Sequence, residues 1–156
     1  MVGRELYEGN QRTCVDVDDT LNKIVIGEKN FQFDRVFDQP SRQEEVFDVC
    51  GRNLVLGCFS GFNATILAYG QTGSGKTHTM GTGSTVGLPE ELVGIVPRVF
   101  GFIFEELNKK KQQSQFSSFT IKCQFLELYN EELHDLLDPS SINAVDKITG
   151  KPLKEL

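Results

Sequence analysis

Thr65-Ile66-Leu67-Ala68-Tyr69, followed without a break by Gly70-Gln71-Thr72-Gly73-Ser74-Gly75-Lys76-Thr77, decides how this chain reads. The first five residues are apolar, rich in β-formers and run straight into a glycine-rich loop, the pattern of a buried parallel strand. The next eight match G-x-x-x-x-G-K-[ST] in the setting that motif requires, with an apolar strand before it and a helix-compatible run from about Gly75. Glycines at 70, 73 and 75 let successive backbone N–H groups converge on phosphate oxygens. Lys76 supplies a point charge for the β- and γ-phosphates, Thr77 a hydroxyl for Mg²⁺, and the helix start a partial positive charge. A dinucleotide fingerprint also begins with Gly-x-Gly, as in Gly73-Ser74-Gly75. Here His78 stands where its third glycine belongs, and Lys76-Thr77 would be without a role. The loop therefore reads as a triphosphate cradle in an α/β fold.

Upstream, Ile24-Val25-Ile26, a turn at Gly27-Glu28-Lys29-Asn30, and Phe31-Gln32-Phe33 predict a hairpin. Ser41-Arg42-Gln43-Glu44 has capping-box spacing and predicts a helix whose apolar stripe is Phe47, Cys50, Leu54 and Cys58. Downstream, Gly81 to Pro89 cannot continue a helix and reads as a surface loop. The helical pattern resumes after Pro97 with Val99, Phe100, Ile103, Phe104 and Leu107. Lys109-Lys110-Lys111 and the Gln/Ser stretch to Ser118 read as a solvated turn, the lysines themselves as a solvated helix end. Phe119, Ile121, Cys123 and Phe125 alternate with polar residues and predict a half-buried strand. Leu133, Leu136 and Leu137 predict one helical turn before Asp138-Pro139, and Ser140 to Leu156 have no clear period.

The 156 residues, 38% hydrophobic and 24% charged, suit one globular domain. Apolar runs are far shorter than the roughly 18 residues of a membrane span, and Met1 to Glu8 lack the apolar core of a signal peptide. A formal net charge of −6 argues against a nucleic-acid partner, which would demand a basic face. Cys14, Cys50, Cys58 and Cys123 form no C-x-x-C pair, and His78 and His134 do not complete a zinc site with them. They read as reduced, buried thiols of a cytosolic protein.

Hydrolysis of a triphosphate needs more than the cradle: a second carboxylate on the Mg²⁺ side and a group that orients water. Glu127 comes closest but sits inside its segment and reads as structural, while His134 and Asp135 are sequence neighbours that do not face each other. A small nucleotide kinase would use the same loop, yet it needs Arg-rich lid segments and only Arg98 follows the loop. A non-enzymatic interaction protein is the remaining alternative.

Gly61-Phe62-Asn63-Ala64-Thr65 through Thr77-His78-Thr79-Met80-Gly81 closely resembles the kinesin motor pattern G-[YF]-N-x-T-[IV]-x-A-Y-G-Q-T-x-x-G-K-T-x-T-M. Phe33-Asp34-Arg35-Val36-Phe37, Gly94-Ile95-Val96-Pro97-Arg98 and Glu127-Leu128-Tyr129-Asn130-Glu131-Glu132 through Asp135-Leu136-Leu137 agree in order and spacing. The likeness covers roughly residues 24–138 and leans toward the chromokinesin-like branch. It implies the amino-terminal half of a three-layer α/β/α motor domain over residues 1–156, an ATPase stimulated by microtubules. It also implies ATP and Mg²⁺ as cofactors, with Gln71 to Thr77 around the phosphates, Thr77 on the metal and His78 beside the adenine. The microtubule cytoskeleton of the cytoplasm is the implied location, and a dimeric coiled-coil parent the implied assembly. The family's R-x-R-P adenine clamp and its N-x-x-S-S-R-S-H and D-L-A-G-S-E switches do not occur between Met1 and Leu156. These residues alone are accordingly expected to have little activity.

Overall fold

The computed structural model describes residues 15–83, 87–114 and 118–138. They fall into two compact units that divide between Gln115 and Phe116.

The first unit opens with an antiparallel sheet of β1 (Asp16–Asp18), β2 (Lys23–Ile26) and β3 (Lys29–Gln32), in that spatial order. The expected hairpin is present, with a tighter turn: Ile26 pairs with Lys29, leaving Gly27-Glu28 as the connection. Gly27 turns the chain there at φ 58°. Asn22 anchors the far end, its carbonyl accepting from Phe33 N at 3.0 Å and its Oδ1 from Val36 N at 3.2 Å.

A continuous helical rod follows, made of α1 (Gln43–Phe47), a π-helical turn (Asp48–Arg52) and α2 (Asn53–Phe59). It starts one residue later than the Ser41 cap predicts. Ser41 N is engaged with Asp38 O at 3.0 Å, so Arg42 is the last extended residue, and Glu45 rather than Glu44 reaches back to its N–H at 3.4 Å. The buried row is Gln43, Phe47, Gly51 and Val55, with Phe59 packed on the same core, whereas Leu54 and Cys58 are exposed. In a regular α-helix a four-residue row drifts about 40° per step. The wider π turn takes up part of that drift and holds the row on one side. The thiol expectation changes with it: Cys58 and Cys123 are exposed, Cys50 is half-buried with burial pushing its thiol pKa up, and Cys14 lies outside the described residues.

Against this rod packs α4 (Ile95–Gln112), Phe102 meeting Phe47 edge-to-face at 5.9 Å and 77°. Val55 completes the buried cluster, and Phe59, Val99 and Ile103 pack on it. α4 starts before Pro97, which sits in the first turn where a missing N–H costs nothing. It also runs past the predicted turn: Lys109, Lys110 and Lys111 form its last turn, where cations complement the helix dipole. Lys109 bonds Glu105 at 2.7 Å and Glu106 at 2.9 Å. Between α3 (Lys76–Met80) and α4 lies the expected loop, which carries a 3₁₀ turn at Glu90–Leu92. Thr65 to Tyr69 do not form the predicted strand. A strand is defined by its ladder, and this segment pairs with no described strand of the chain, leaving Leu67 85% and Tyr69 96% exposed.

The second unit is a hairpin of β4 (Leu126–Tyr129) and β5 (Glu132–Asp135), with Leu128 opposite Leu133. Two sequence expectations fail here. Phe119 to Phe125 are exposed and form no strand, Phe125 joining the hairpin only at its end as its carbonyl accepts from Leu136 N at 2.7 Å, and Leu133 lies in a strand rather than a helical turn. Asn130 and Glu131 explain the second, because both take positive φ, 48° and 65°, as a two-residue type I′ connection requires. Residues 140–156, for which the sequence gives no period, lie outside the described residues. No described helix is long and apolar enough to cross a membrane.

Candidate functional site

The glycine-rich loop closes on itself before any ligand is considered. Ser74 N donates to Gln71 O at 3.2 Å, and Gly75 then caps α3 in the left-handed region at φ 94°. An L side chain there is penalised by about 1 kcal/mol or more. A Cβ on Gly75 would nevertheless meet nothing within 4 Å. The glycine is thus required by its backbone angle, and the space in front of the loop stays open. From Gly75 the helix proceeds, Thr79 N donating to Gly75 O at 2.9 Å.

Lys76, the first residue of α3, folds back over the loop. Its Nζ donates to Gly70 O and to Gln71 O, each at 2.7 Å. Both partners are neutral carbonyls, and among the described residues no carboxylate pairs with this ammonium. The loop therefore keeps a full positive charge beside backbone amides and a helix start, the combination that attracts a polyphosphate. Gln71, Thr72, Gly73, Ser74 and Thr77 are exposed and Gly70 is half-buried. The eight residues singled out from the sequence are consecutive and form one loop and the first residues of α3. His78 is exposed one residue further on and helps to line a hollow of about 140 Å³ with Thr77, Gly81, Gly83, Leu88, Leu92 and Gly94.

Three supports escape sequence reading. Gln43, on α1, sends its Nε2–H to His78 O at 2.7 Å. Arg98, on α4, ties the 3₁₀ turn down by donating to Val93 O at 2.9 Å and to Glu90 O at 2.6 Å. Gly81 and Gly94 cross so closely that a Cβ on Gly94 would lie 2.6 Å from Gly81 Cα and 2.7 Å from Thr79 O. The Gln43 bond spans 35 residues and the Gly81–Gly94 approach 13, whereas the Arg98 bonds span only five and eight. Glu127 and His134 face each other in the ladder of the second unit. His134 and Asp135 are adjacent strand residues on opposite faces, which disposes of a relay between them.

With a left-handed glycine at the helix start and a lysine folded over loop carbonyls, residues 70–77 take the loop-to-helix form that the G-x-x-x-x-G-K-[ST] pattern predicts in an α/β fold. The family model described as kinesin motor domain matches residues 6–154, and the chain belongs to that family. Kinesin-related protein 8 of Dictyostelium discoideum is 53% identical over 119 residues, 75% of this chain and 6% of that protein. Human chromosome-associated kinesin KIF4A is 45% identical over 154 residues, 97% of this chain and 12% of its own length. This agrees with the chromokinesin-like leaning of the motifs. Among solved structures, Drosophila Kin10/NOD with divalent manganese and ADP superposes at a TM-score of 0.70 and 30% identity, covering 82% of this chain and 44% of that one. The chain thus spans a small part of its curated relatives and under half of that solved motor.

Proposed function

We propose that these residues form the ATP- and Mg²⁺-binding part of a microtubule motor ATPase. The observation that carries this is Lys76, whose ammonium is held across its own loop by two carbonyls at 2.7 Å and is paired with no carboxylate among the described residues. Those bonds are exchangeable for phosphate oxygens, since charge-assisted bonds to phosphate are stronger than bonds to neutral carbonyls. In this reading the amides from Gly70 to Gly75 and Lys76 hold the phosphates, Thr77 presents its hydroxyl to Mg²⁺, and His78 lies against the adenine. The bound metal contributes charge neutralisation at the phosphates. NOD, seen with manganese and ADP and docked with bovine tubulin in a microtubule map, supports both the ligand and the partner. The microtubule cytoskeleton of the cytoplasm is the proposed setting, with a dimeric parent.

Titration of the full chain with a fluorescent Mg²⁺–ATP analogue tests the site. Removing a hydrogen bond to a charged group costs about 1.5–3 kcal/mol, so Lys76→Ala is expected to weaken binding by at least about tenfold. Equal affinity in the two proteins would overturn the assignment. Residues 1–156 alone are proposed to turn over little ATP, because no γ-phosphate switch motif occurs among them. Robust microtubule-stimulated turnover by that segment would refute this second statement.

A further inference from the structure

The Gln43 side chain is a buried polar group, only 7% exposed, on the apolar face of the helical rod. Its amide leaves that rod to reach a carbonyl 35 residues away, Nε2–H donating to His78 O at 2.7 Å. The acceptor explains why. The last carbonyls of any helix have no amide of their own. α3 ends as Gly81 N donates to Thr77 O at 2.8 Å and the chain departs at φ 73°. The His78 carbonyl is thus one of those orphans, and a residue of another helix caps it. α3 has five residues, far below the roughly 12–15 at which a helix is even marginal by itself. It persists only through what holds its ends, and it is the helix that carries Lys76 and Thr77.

We infer that Gln43 is a positioning residue for the nucleotide site: by capping α3 it sets the fraction of molecules whose P-loop is ready to bind. Apparent affinity scales with the population of the competent state. Losing the cap therefore weakens binding without altering what happens once nucleotide saturates the protein. The inference rests on the nucleotide reading above and adds the element that maintains it.

The full chain is compared as wild type, Lys76→Ala, Gln43→Met and Gln43→Glu. Met keeps the length of Gln without the donor, and Glu keeps its shape but turns an acceptor toward the carbonyl. Because a five-residue helix is marginal, both are expected to raise the Kd for a fluorescent Mg²⁺–ATP analogue by more than twofold, with about tenfold the ceiling that one buried hydrogen bond sets. The fluorescence amplitude at saturating analogue is expected to stay within twofold. Amide exchange of Thr79 and Gly81 should accelerate, while that of α4 remains as in wild type. A role in packing alone would lower the melting temperature and leave Kd and these two amides unchanged. In the wild type itself, the Gln43 side-chain amide should exchange slowly, a measurement that needs no variant to fold. A rapidly exchanging Gln43 amide, or variant Kd values within twofold of wild type, overturns the inference. If wild type binds and Lys76→Ala does not, that failure belongs to Gln43 alone. If wild type does not bind, the nucleotide reading fails and this inference fails with it.

Discussion

Gly94→Ala isolates a single steric contact. Gly94 has φ −79° and ψ −170°, which alanine adopts freely, so backbone strain is not part of the perturbation. The added methyl would meet Gly81 N, Gly81 Cα at 2.6 Å and Thr79 O at 2.7 Å. All three are backbone atoms, so no side chain can rotate away. Relief requires separating the end of α3 from the start of α4, and overpacking of this kind costs about 1–3 kcal/mol. With backbone on every side we place it at about 2–3 kcal/mol, and at roughly 2–4 °C per kcal/mol for a chain of this size the melting temperature should fall by about 5–10 °C. Urea unfolding of the full chain, followed by circular dichroism, gives the free energy directly. Gly81→Ala, whose Cβ would meet Gly94 Cα and N at 2.8 Å each, removes the same approach, so the double variant should cost less than the sum. A Gly94→Ala protein within 0.5 kcal/mol of wild type would show that the crossing is not tight and would refute the reasoning.

Arg52 lies over both core rings, its guanidinium carbon 5.3 Å from the Phe47 centroid and 4.7 Å from that of Phe102, and it bonds Asp48 at 2.6 Å. Arg52→Met should destabilise by about 1–2 kcal/mol through the lost cation–π contacts, while Asp48→Asn, which removes an exposed i,i+4 pair, should cost under about 0.5 kcal/mol. Urea midpoints that reverse this order contradict the assignment. In the second unit, Glu131 sits at φ 65°, so Glu131→Gly should stabilise the β4–β5 hairpin by about 0.5–1 kcal/mol. Slower amide exchange across Glu132–Asp135 is the readout, and faster exchange would count against a type I′ turn.

What the sequence disclosed and what it hid divide along the range of the interactions. The loop from Gly70 to Thr77 was legible because its geometry is closed by contacts within eight residues: Ser74 N to Gln71 O, and Lys76 Nζ to Gly70 O and Gln71 O. The Gly81 end of α3 was legible for the same reason. Gln43 was not, since a glutamine in a first helical turn reads as solvated until its partner 35 residues away is known. The stripe on the rod was misread at Leu54 and Cys58 because a single π turn re-phases every later position, and periodicity assumes a constant angle per residue. The β5 strand was mistaken for a helical turn because three leucines outweighed Asn130, the one residue that favours positive φ at the turn.

Thr65 to Tyr69 present the reverse case, a segment whose pattern is plain and whose structure here does not follow it. Alternate residues of this run are its most exposed, Leu67 and Tyr69, although the same side chains have the β-forming character of a central strand. No ladder on either side satisfies its amides and carbonyls within the described chain. Propensity alone does not make a strand, because the ladder bonds and the face-to-face packing supply nearly all of its stability. The P-loop is unaffected, since its own bonds close within Gly70 to Lys76 and its helix is capped from α1. The cradle is thus built from local contacts plus one long-range hydrogen bond, whereas a strand at Thr65 to Tyr69 would depend on neighbours. An apolar, β-prone segment with no ladder partner is also the natural template for wrong pairing. The segment that makes the family readable from sequence is therefore the one with most to gain from further strands beside it.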